Sequence, residues 1–127
     1  MILDAYTRVF VDADAIDRTV SFYKTLLAGD DSLRFSYPEK GLELAVVSSP
    51  HLSVLVIAGP AHARAPFEAT HLTIKVEAMK PLLEVLTHAG ALQLGRVEPT
   101  PIGHKARFRH PDGLIVEYVV HTVSGAS

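Results

Sequence analysis

The same order of predicted elements occurs twice along the sequence, and this duplication constrains the fold more than any other feature. Residues 6–11 have strand composition, and residues 71–76 alternate between polar and apolar side chains. A helix pattern follows each strand, because apolar residues recur every three or four positions in 16–27 and in 79–86. Three strand-like runs follow each helix: 33–37, 42–47 and 52–57, then 92–97, 105–109 and 114–120. Each half is therefore predicted to be one strand, one helix and three strands.

Residues that favour helix ends stand beside both helix patterns. Asp12 or Asp14 can cap the first helix, and Gly29 is placed to end it. Pro81 lies near the start of the second helix, where its missing N–H costs little, and Gly90 is placed to end that helix. These residues support the helix assignments.

Length and composition predict one domain with its own core. The 127 residues include no cysteine, which excludes disulfides and thiolate metal sites. We expect module one at about 3–58, a linker of small residues at 59–70, module two at about 71–121, and a frayed tail at 123–127. A helix covers one face of each four-stranded sheet. We therefore predict an α+β fold of two tandem βαβββ modules, whose eight mostly antiparallel strands curl round a cavity, with one helix per module outside.

Charge and hydropathy exclude several kinds of partner. The formal net charge of −2 gives no electrostatic basis for binding a nucleic-acid backbone. The first residues, Met1 to Asp4, lack the pattern of a targeting signal, and no apolar stretch approaches the thickness of a bilayer. We therefore expect a cytoplasmic protein whose partners include no nucleic acid and no membrane.

A motif near the end of the second half carries a family resemblance. Residues 108–117 read Phe-Arg-His-Pro-Asp-Gly-Leu-Ile-Val-Glu. With the duplication, this motif resembles the vicinal oxygen chelate superfamily, where the usual pattern is Phe-x-Asp-Pro-Asp-Gly-x-x-x-Glu. That superfamily includes glyoxalase I, extradiol dioxygenases, methylmalonyl-CoA epimerase and bleomycin-binding proteins. The resemblance covers Leu3 to His121. His110 departs from the usual Asp, in a predicted turn, and the fold is one that hosts unlike functions.

The resemblance implies a divalent metal at four positions, one on the first and last strand of each half. Carried onto this sequence, these positions are Tyr6, Leu55 or Val56, His71 and Glu117. His71 and Glu117 suit nickel, zinc, manganese or iron. Leu55 and Val56 have no atom that can bind a metal, and the phenol of Tyr6 must first lose its proton. His104, in the loop before the strand predicted at 105–109, either supplies a third ligand or lies exposed. Without a metal, a buried Glu117 needs another partner, which could be His71.

Other side chains of the predicted cavity suit an anionic ligand. Arg8 and Phe10 share a face with Tyr6 on the first strand. Lys105 and Arg107 alternate with apolar neighbours, so they face either the cavity or solvent. Inward-facing cationic side chains would favour a carboxylate, phosphate or acidic phenol with an apolar body. The ligand-binding candidates are Arg8, Phe10, Thr73, Lys105 and Arg107.

Two classes of function remain open at this point. In the first, the protein binds a small, anionic organic molecule without a metal, as the antibiotic-sequestering members do. In the second, a divalent metal on His71 and Glu117 makes it a lyase, isomerase, transferase or dioxygenase acting on vicinal oxygens, or Glu117 or Tyr6 acts as a general acid–base without metal. The resemblance also implies a homodimer, and the linker permits the halves to pair within one chain or between two.

Overall fold

Two units make up the part of the chain that the computed structural model describes, residues 1–122. The N-terminal unit runs from Tyr6 to Ala69. Within the described residues, the C-terminal unit comprises Met1–Ala5 together with residues 70–122. The tail predicted at 123–127 lies outside the described residues.

The N-terminal unit contains a helix and a four-stranded sheet. Its elements are β1 (Ile2–Val11, whose first residues belong to the other unit), α1 (Ile16–Leu27), β2 (Asp30–Tyr37), β3 (Leu42–Ser48), β4 (Ser53–Ala58) and α2 (Ala61–Arg64). The strand order is β2-β3-β4-β1, with β1 parallel to β4 and the other neighbours antiparallel. The apolar stripe of α1 packs on one face of this sheet, where alternate residues of β3 and β4 are buried.

The ends of α1 differ from the prediction. A 3₁₀ turn precedes the helix, so Ala15 takes the N-cap position, and neither Asp12 nor Ala15 makes a side-chain cap hydrogen bond. At the other end Ala28 adopts the left-handed conformation, with φ of 50°. Gly29 serves a different purpose: a Cβ there would lie 2.5 Å from the carbonyl oxygen of Ser48, so glycine permits a close backbone approach.

The C-terminal unit has a second helix and sheet of the same kind. Its elements are β5 (Leu72–Val76), α3 (Met79–His88), β6 (Leu92–Gln93), β7 (Glu98–Thr100), β8 (Gly103–Arg109) and β9 (Ile115–His121). The strand order is β5-β9-β8-β6, and β7 also pairs with β8. Strands β5 and β9 are parallel, and the remaining pairs are antiparallel.

The predicted elements of this unit need two corrections. The strand expected at 92–97 ends at Gln93, and Gly95 just beyond it has φ of +84°. Residues 98–100, which were assigned to no predicted strand, form a short hairpin with the start of β8. The predicted turn after β8 is present, since the N–H of Gly113 donates to the carbonyl of His110 over 2.8 Å.

The α+β class and the repeated strand–helix–strand order are confirmed in both units. The linker at 59–70 contains the short helix α2 and a 3₁₀ turn at Ala65–Phe67. The cavity and the single-domain arrangement stay predictions. Within the described residues, no helix has both the length and the apolarity needed to span a bilayer.

Candidate functional site

The sheet of the C-terminal unit has one apolar face and one polar face. The apolar face packs against α3, where Val76, Phe108, Val116 and Tyr118 are buried with Leu82. Because side chains alternate along each strand, the residues of β5, β9 and β8 that lie between those of the apolar face point to the opposite face. We call this the polar sheet face; its polar members are His71, Thr73, Lys75, Lys105, Arg107, Arg109, Glu117 and His121.

The strand register arranges these side chains in rows across β5, β9 and β8. One row is Thr73, Glu117 and Arg107, and the next is Lys75, Val119 and Lys105. Neighbours within a row lie about 5 Å apart, and rows two residues apart are separated by about 7 Å. The register therefore places Glu117 in the midst of basic side chains.

Glu117 has a polar partner at each carboxylate oxygen. The hydroxyl of Thr73 donates to Oε1 over 3.1 Å, and Nζ of Lys105 lies 3.8 Å from Oε2. The side chains of Lys105 and Glu117 are each 14% exposed, and Thr73 is buried. Burying an unpaired carboxylate is costly, so these contacts stabilise its charge.

His71 makes a different contact from the predicted pairing with Glu117. It lies just before β5, is exposed, and its Nδ1 accepts a hydrogen bond from the backbone N–H of Ile115 over 3.0 Å. The backbone N–H of His71 donates to the carbonyl oxygen of Ile115 over 2.8 Å. An Nδ1 that accepts must carry no proton, so the neutral ring holds its proton on Nε2.

These contacts do not fit a divalent metal. A metal-binding histidine donates its second ring N–H to an acceptor, whereas His71 accepts with Nδ1 and carries its proton on Nε2. The ammonium of Lys105 beside Glu117 would repel a second cation. Across residues 1–122, no group of three or more His, Asp or Glu side chains is placed to hold a metal.

His104 is placed on the other face. Strand β8 begins at Gly103, so His104 lies inside the strand and opposite Val120, in alternation with Ala106 and Phe108. Those two residues are buried against α3. The structure therefore does not bring His104 together with Glu117 as a third ligand.

The candidates on β1 lie in the N-terminal unit. Tyr6 is buried opposite Ser53, and Arg8 is half-buried opposite Leu55. Nη2 of Arg8 donates to the carbonyl oxygen of Phe67 over 3.2 Å, and its guanidinium lies 5.7 Å from the ring centre of Phe10. Arg8 and Phe10 are thus brought together by a cation–π contact.

The same register separates the two residues proposed for the second ligand position. Leu55 is paired with Arg8, whereas Val56 is paired with Val9 and is buried in the core beneath α1. Leu55, and not Val56, therefore shares a sheet face with Arg8, and its side chain has no donor atom for a metal.

Three residues of the polar sheet face were not among the candidate site residues, namely Lys75, Arg109 and His121. Strand alternation could have found them, because each lies an even number of positions from Thr73, Arg107 or Glu117. Burial lowers the pKa of His121, with a further lowering from Lys75 and an opposing effect from Glu117. Within the described part of the chain, Nδ1 of His121 is buried without a hydrogen-bond partner.

His110, the departure from the family motif, does more than form a turn. Its Nε2 lies 2.7 Å from the hydroxyl oxygen of Tyr118, which belongs to the core on the α3 side. Burial raises the pKa of the Tyr118 phenol. This pair is therefore a structural feature of the apolar face, separate from Glu117.

No protein-family model and no curated protein sequence matches the chain, but solved structures do. An uncharacterised protein from Methanosarcina mazei is 31% identical, with a TM-score of 0.80 over 96% of this chain and 94% of its own. Methylmalonyl-CoA epimerase from Mycobacterium tuberculosis is 14% identical, with a TM-score of 0.65 over 96% of this chain and 90% of its own. A mutant 4-hydroxymandelate synthase from Streptomyces coelicolor is 14% identical, with a TM-score of 0.61 over 95% of this chain and 49% of its own. Both enzymes are vicinal oxygen chelate proteins, and at this identity they show the fold alone.

Proposed function

We propose that this chain, which belongs to the family of the Methanosarcina mazei protein, binds a small organic anion on its polar sheet face without a metal. Membership of the vicinal oxygen chelate superfamily is part of the proposal. The duplicated modules, the motif at 108–117 and the fold shared with two enzymes of that superfamily support it.

The observation that carries the proposal is the excess of positive charge around one carboxylate. Lys75, Lys105 and Arg107 share the face with Glu117, and Glu98 lies opposite Lys105 in the register of β7 and β8, so three of these five side chains are positive and two are negative. Lysine and arginine are the side chains that recognise carboxylates and phosphates. The lowered pKa of His121 favours its neutral form, so that ring adds hydrogen-bonding capacity rather than charge.

A divalent-metal lyase, isomerase, transferase or dioxygenase is less well supported by the donor atoms. His71 uses Nδ1 to accept a backbone hydrogen bond, and Lys105 already places a cation beside Glu117. Metal-free acid–base catalysis by Glu117 or Tyr6 stays a prediction. Anion binding requires neither a metal nor a proton transfer.

Calorimetric titration with matched probes tests the proposal. We expect benzoate and glutarate to bind, and their uncharged amides, benzamide and glutaramide, to bind at least about tenfold more weakly, because a charge-assisted hydrogen bond is lost. Arg107→Gln should weaken the binding of the anions by about tenfold. Lys80→Gln, which removes an exposed charge on α3, is the matched control and should have no effect. Equal binding of acids and amides, or no binding of either, would overturn the proposal.

We also propose that two copies of the chain form a homodimer, as the family resemblance implies. Sedimentation equilibrium at micromolar concentration should give a mass near twice 13.8 kDa. A mass near that of one chain would contradict this proposal. The cytoplasmic location stays a prediction.

A further inference from the structure

A surface cavity of about 420 Å³ lies on the α3 side of the C-terminal unit, on the opposite side of the sheet from the polar sheet face. Its wall is formed by the end of α3, by the turn between β8 and β9, and by one side chain of β9. The lining residues are Leu86, Ala89, Ala91, His110, Pro111, Asp112 and Tyr118. A cavity of this size, with mostly apolar walls and few polar groups, is typical of a site for a small molecule.

The polar group of this cavity is the pair formed by His110 and Tyr118, and both members are held in place. The backbone N–H of His110 donates to the carbonyl oxygen of Leu114, and its carbonyl oxygen accepts from the N–H of Gly113, each over 2.8 Å. The ring of Tyr118 packs edge-on against the fully buried Phe108, with 6.0 Å between the ring centres. A ligand that enters the cavity would therefore meet a polar group in a fixed position.

The hydrogen bond within the pair decides what the histidine offers to a ligand. Tyr118 is 4% exposed, and within residues 1–122 the acceptor for its hydroxyl is Nε2 of His110, at 2.7 Å. A buried hydroxyl without an acceptor is costly, so the phenol donates to Nε2, and the neutral ring carries its proton on Nδ1. Nδ1 makes no hydrogen bond within the described residues and is not buried. His110 thus provides an N–H donor that a ligand can reach.

The electrostatics of the cavity favour a neutral ligand over an anion. Asp112 is exposed on the cavity wall, where its Oδ1 accepts a hydrogen bond from the backbone N–H of Leu114 over 3.1 Å. Leu86 and Ala89 lie at the carboxyl end of α3, which is the negative end of the helix dipole. Both features repel an anion, whereas the N–H of His110 requires an acceptor. A neutral molecule with an acceptor oxygen on an apolar body meets both conditions.

We propose that this cavity is a second binding site, which takes a small neutral compound with a carbonyl oxygen on an apolar ring system. The carbonyl oxygen accepts a hydrogen bond from Nδ1 of His110. The ring system contacts the apolar wall formed by Leu86, Ala89 and Pro111. This role would account for His110, the residue that departs from the family motif, because the aspartate usual in the motif has no N–H donor and would add negative charge.

The probes for this site are α-tetralone, a bicyclic ketone, and tetralin, the same ring system without the oxygen. At about pH 8, where an unperturbed imidazole is neutral, long-range proton–nitrogen NMR correlation should show a protonated Nδ1 in His110. The signals of His110 are assigned as those missing from the spectrum of His110→Phe. Titration with α-tetralone should shift them, whereas α-naphthoate, a bicyclic anion, should leave them unchanged.

Variants separate the hydrogen bond from the apolar wall in calorimetric titrations. His110→Phe keeps a ring but removes the donor, so α-tetralone should bind at least about tenfold more weakly, and tetralin should bind within about twofold of the wild-type affinity. His51→Phe, at an exposed position, is the control. Ala89→Leu fills the cavity and should weaken the binding of both compounds at least about tenfold. Its control is Ala61→Leu, an exposed alanine of α2, which should bind both compounds as the wild type does.

The outcomes test the site and the hydrogen bond separately. Unchanged His110 signals in the presence of α-tetralone, or equal affinities of the wild type and Ala89→Leu, would overturn the site. An equal loss of α-tetralone and tetralin binding in a folded His110→Phe variant would overturn the role of Nδ1. If that variant does not fold, Ala89→Leu and its control decide the proposal. Arg107→Gln should leave α-tetralone binding unchanged, so this site and the anion site on the polar sheet face can fail independently.

Discussion

The hydroxyl of Thr73 and the carboxylate of Glu117, residues 44 positions apart in the sequence, are joined by a 3.1 Å hydrogen bond across the parallel strands β5 and β9. Thr73 is 2% exposed, so this contact is largely shielded from water. The bond couples the pairing of two strands to the orientation of the carboxylate at the centre of the polar sheet face. Its loss should therefore affect both stability and ligand binding.

Replacing Thr73 by valine should destabilise the protein by about 1–3 kcal/mol. The substitution keeps the shape of the side chain but removes a donor from a partly buried carboxylate, which is then incompletely hydrogen-bonded. Urea denaturation monitored by circular dichroism measures the change in the free energy of unfolding. Thr73→Ser keeps the hydroxyl and is the control; equal losses in the two variants would show that the hydrogen bond is unimportant.

The ring of His71 should be in the tautomer that carries its proton on Nε2. This follows from the hydrogen bond that Nδ1 accepts from the N–H of Ile115. Long-range proton–nitrogen NMR correlation at pH above 7.5 should show an unprotonated Nδ1 and a protonated Nε2. The spectrum should be unchanged by nickel or zinc at concentrations equal to that of the protein; a metal-dependent shift of either ring nitrogen would contradict the geometry.

Acidification should destabilise the protein partly through His121. Burial, then Lys75, lowers the pKa of folded His121 below its ordinary value of 6.5, against an opposing effect of Glu117. The unfolded state therefore binds the proton first, so stability is full above about pH 6.5 and falls as the pH drops toward the folded pKa. Urea denaturation at pH 7.5 and 5.5 should show a smaller loss for His121→Gln than for the wild type. His51→Gln, at an exposed position, is the control and should retain the wild-type loss.

Replacing Gly103 by alanine should lower the free energy of unfolding by about 3 kcal/mol or more. A Cβ at this first residue of β8 would overlap the carbonyl oxygen of Val120, which belongs to the backbone of the neighbouring strand β9. Gly95→Ala is the control, because that position has open space around it and only a left-handed backbone, with φ of +84°, to strain. Gly95→Ala should lower the free energy of unfolding by about 1–2 kcal/mol, as measured by urea denaturation. A similar cost for the two variants would contradict the close approach of β8 and β9.

The strands and helices of the repeat were predictable because their apolar residues recur with the period of each element. The register between the strands was not predictable from the sequence, and the wrong placement of His104 follows from it. His104 was assigned to a loop because the strand was predicted to begin at Lys105. The strand begins instead at Gly103, where a residue without a Cβ allows β9 to come close. That extension places His104 on the α3 side of the sheet.

The candidate site was predictable in its residue types more than in its contacts. Alternation placed Thr73 away from the apolar residues of its own strand and placed Lys105 with Arg107 on one side of theirs, and the motif supplied Glu117. The contact of His71 was not predictable, because it is made with a backbone N–H of a residue 44 positions away, and backbone groups leave no signal in the sequence. The partner of Glu117 depends similarly on cross-strand register, which pairs it with Thr73.

The discontinuous C-terminal unit has a consequence for biosynthesis. Met1–Ala5 leaves the ribosome before Tyr6–Ala69, and the rest of the unit follows only after that segment has been made. Because chains are synthesised from the N-terminus, the continuous unit can fold while its neighbour is still incomplete. The strand that carries Glu117 emerges after the whole of Tyr6–Ala69, so the polar sheet face should form later than the continuous unit.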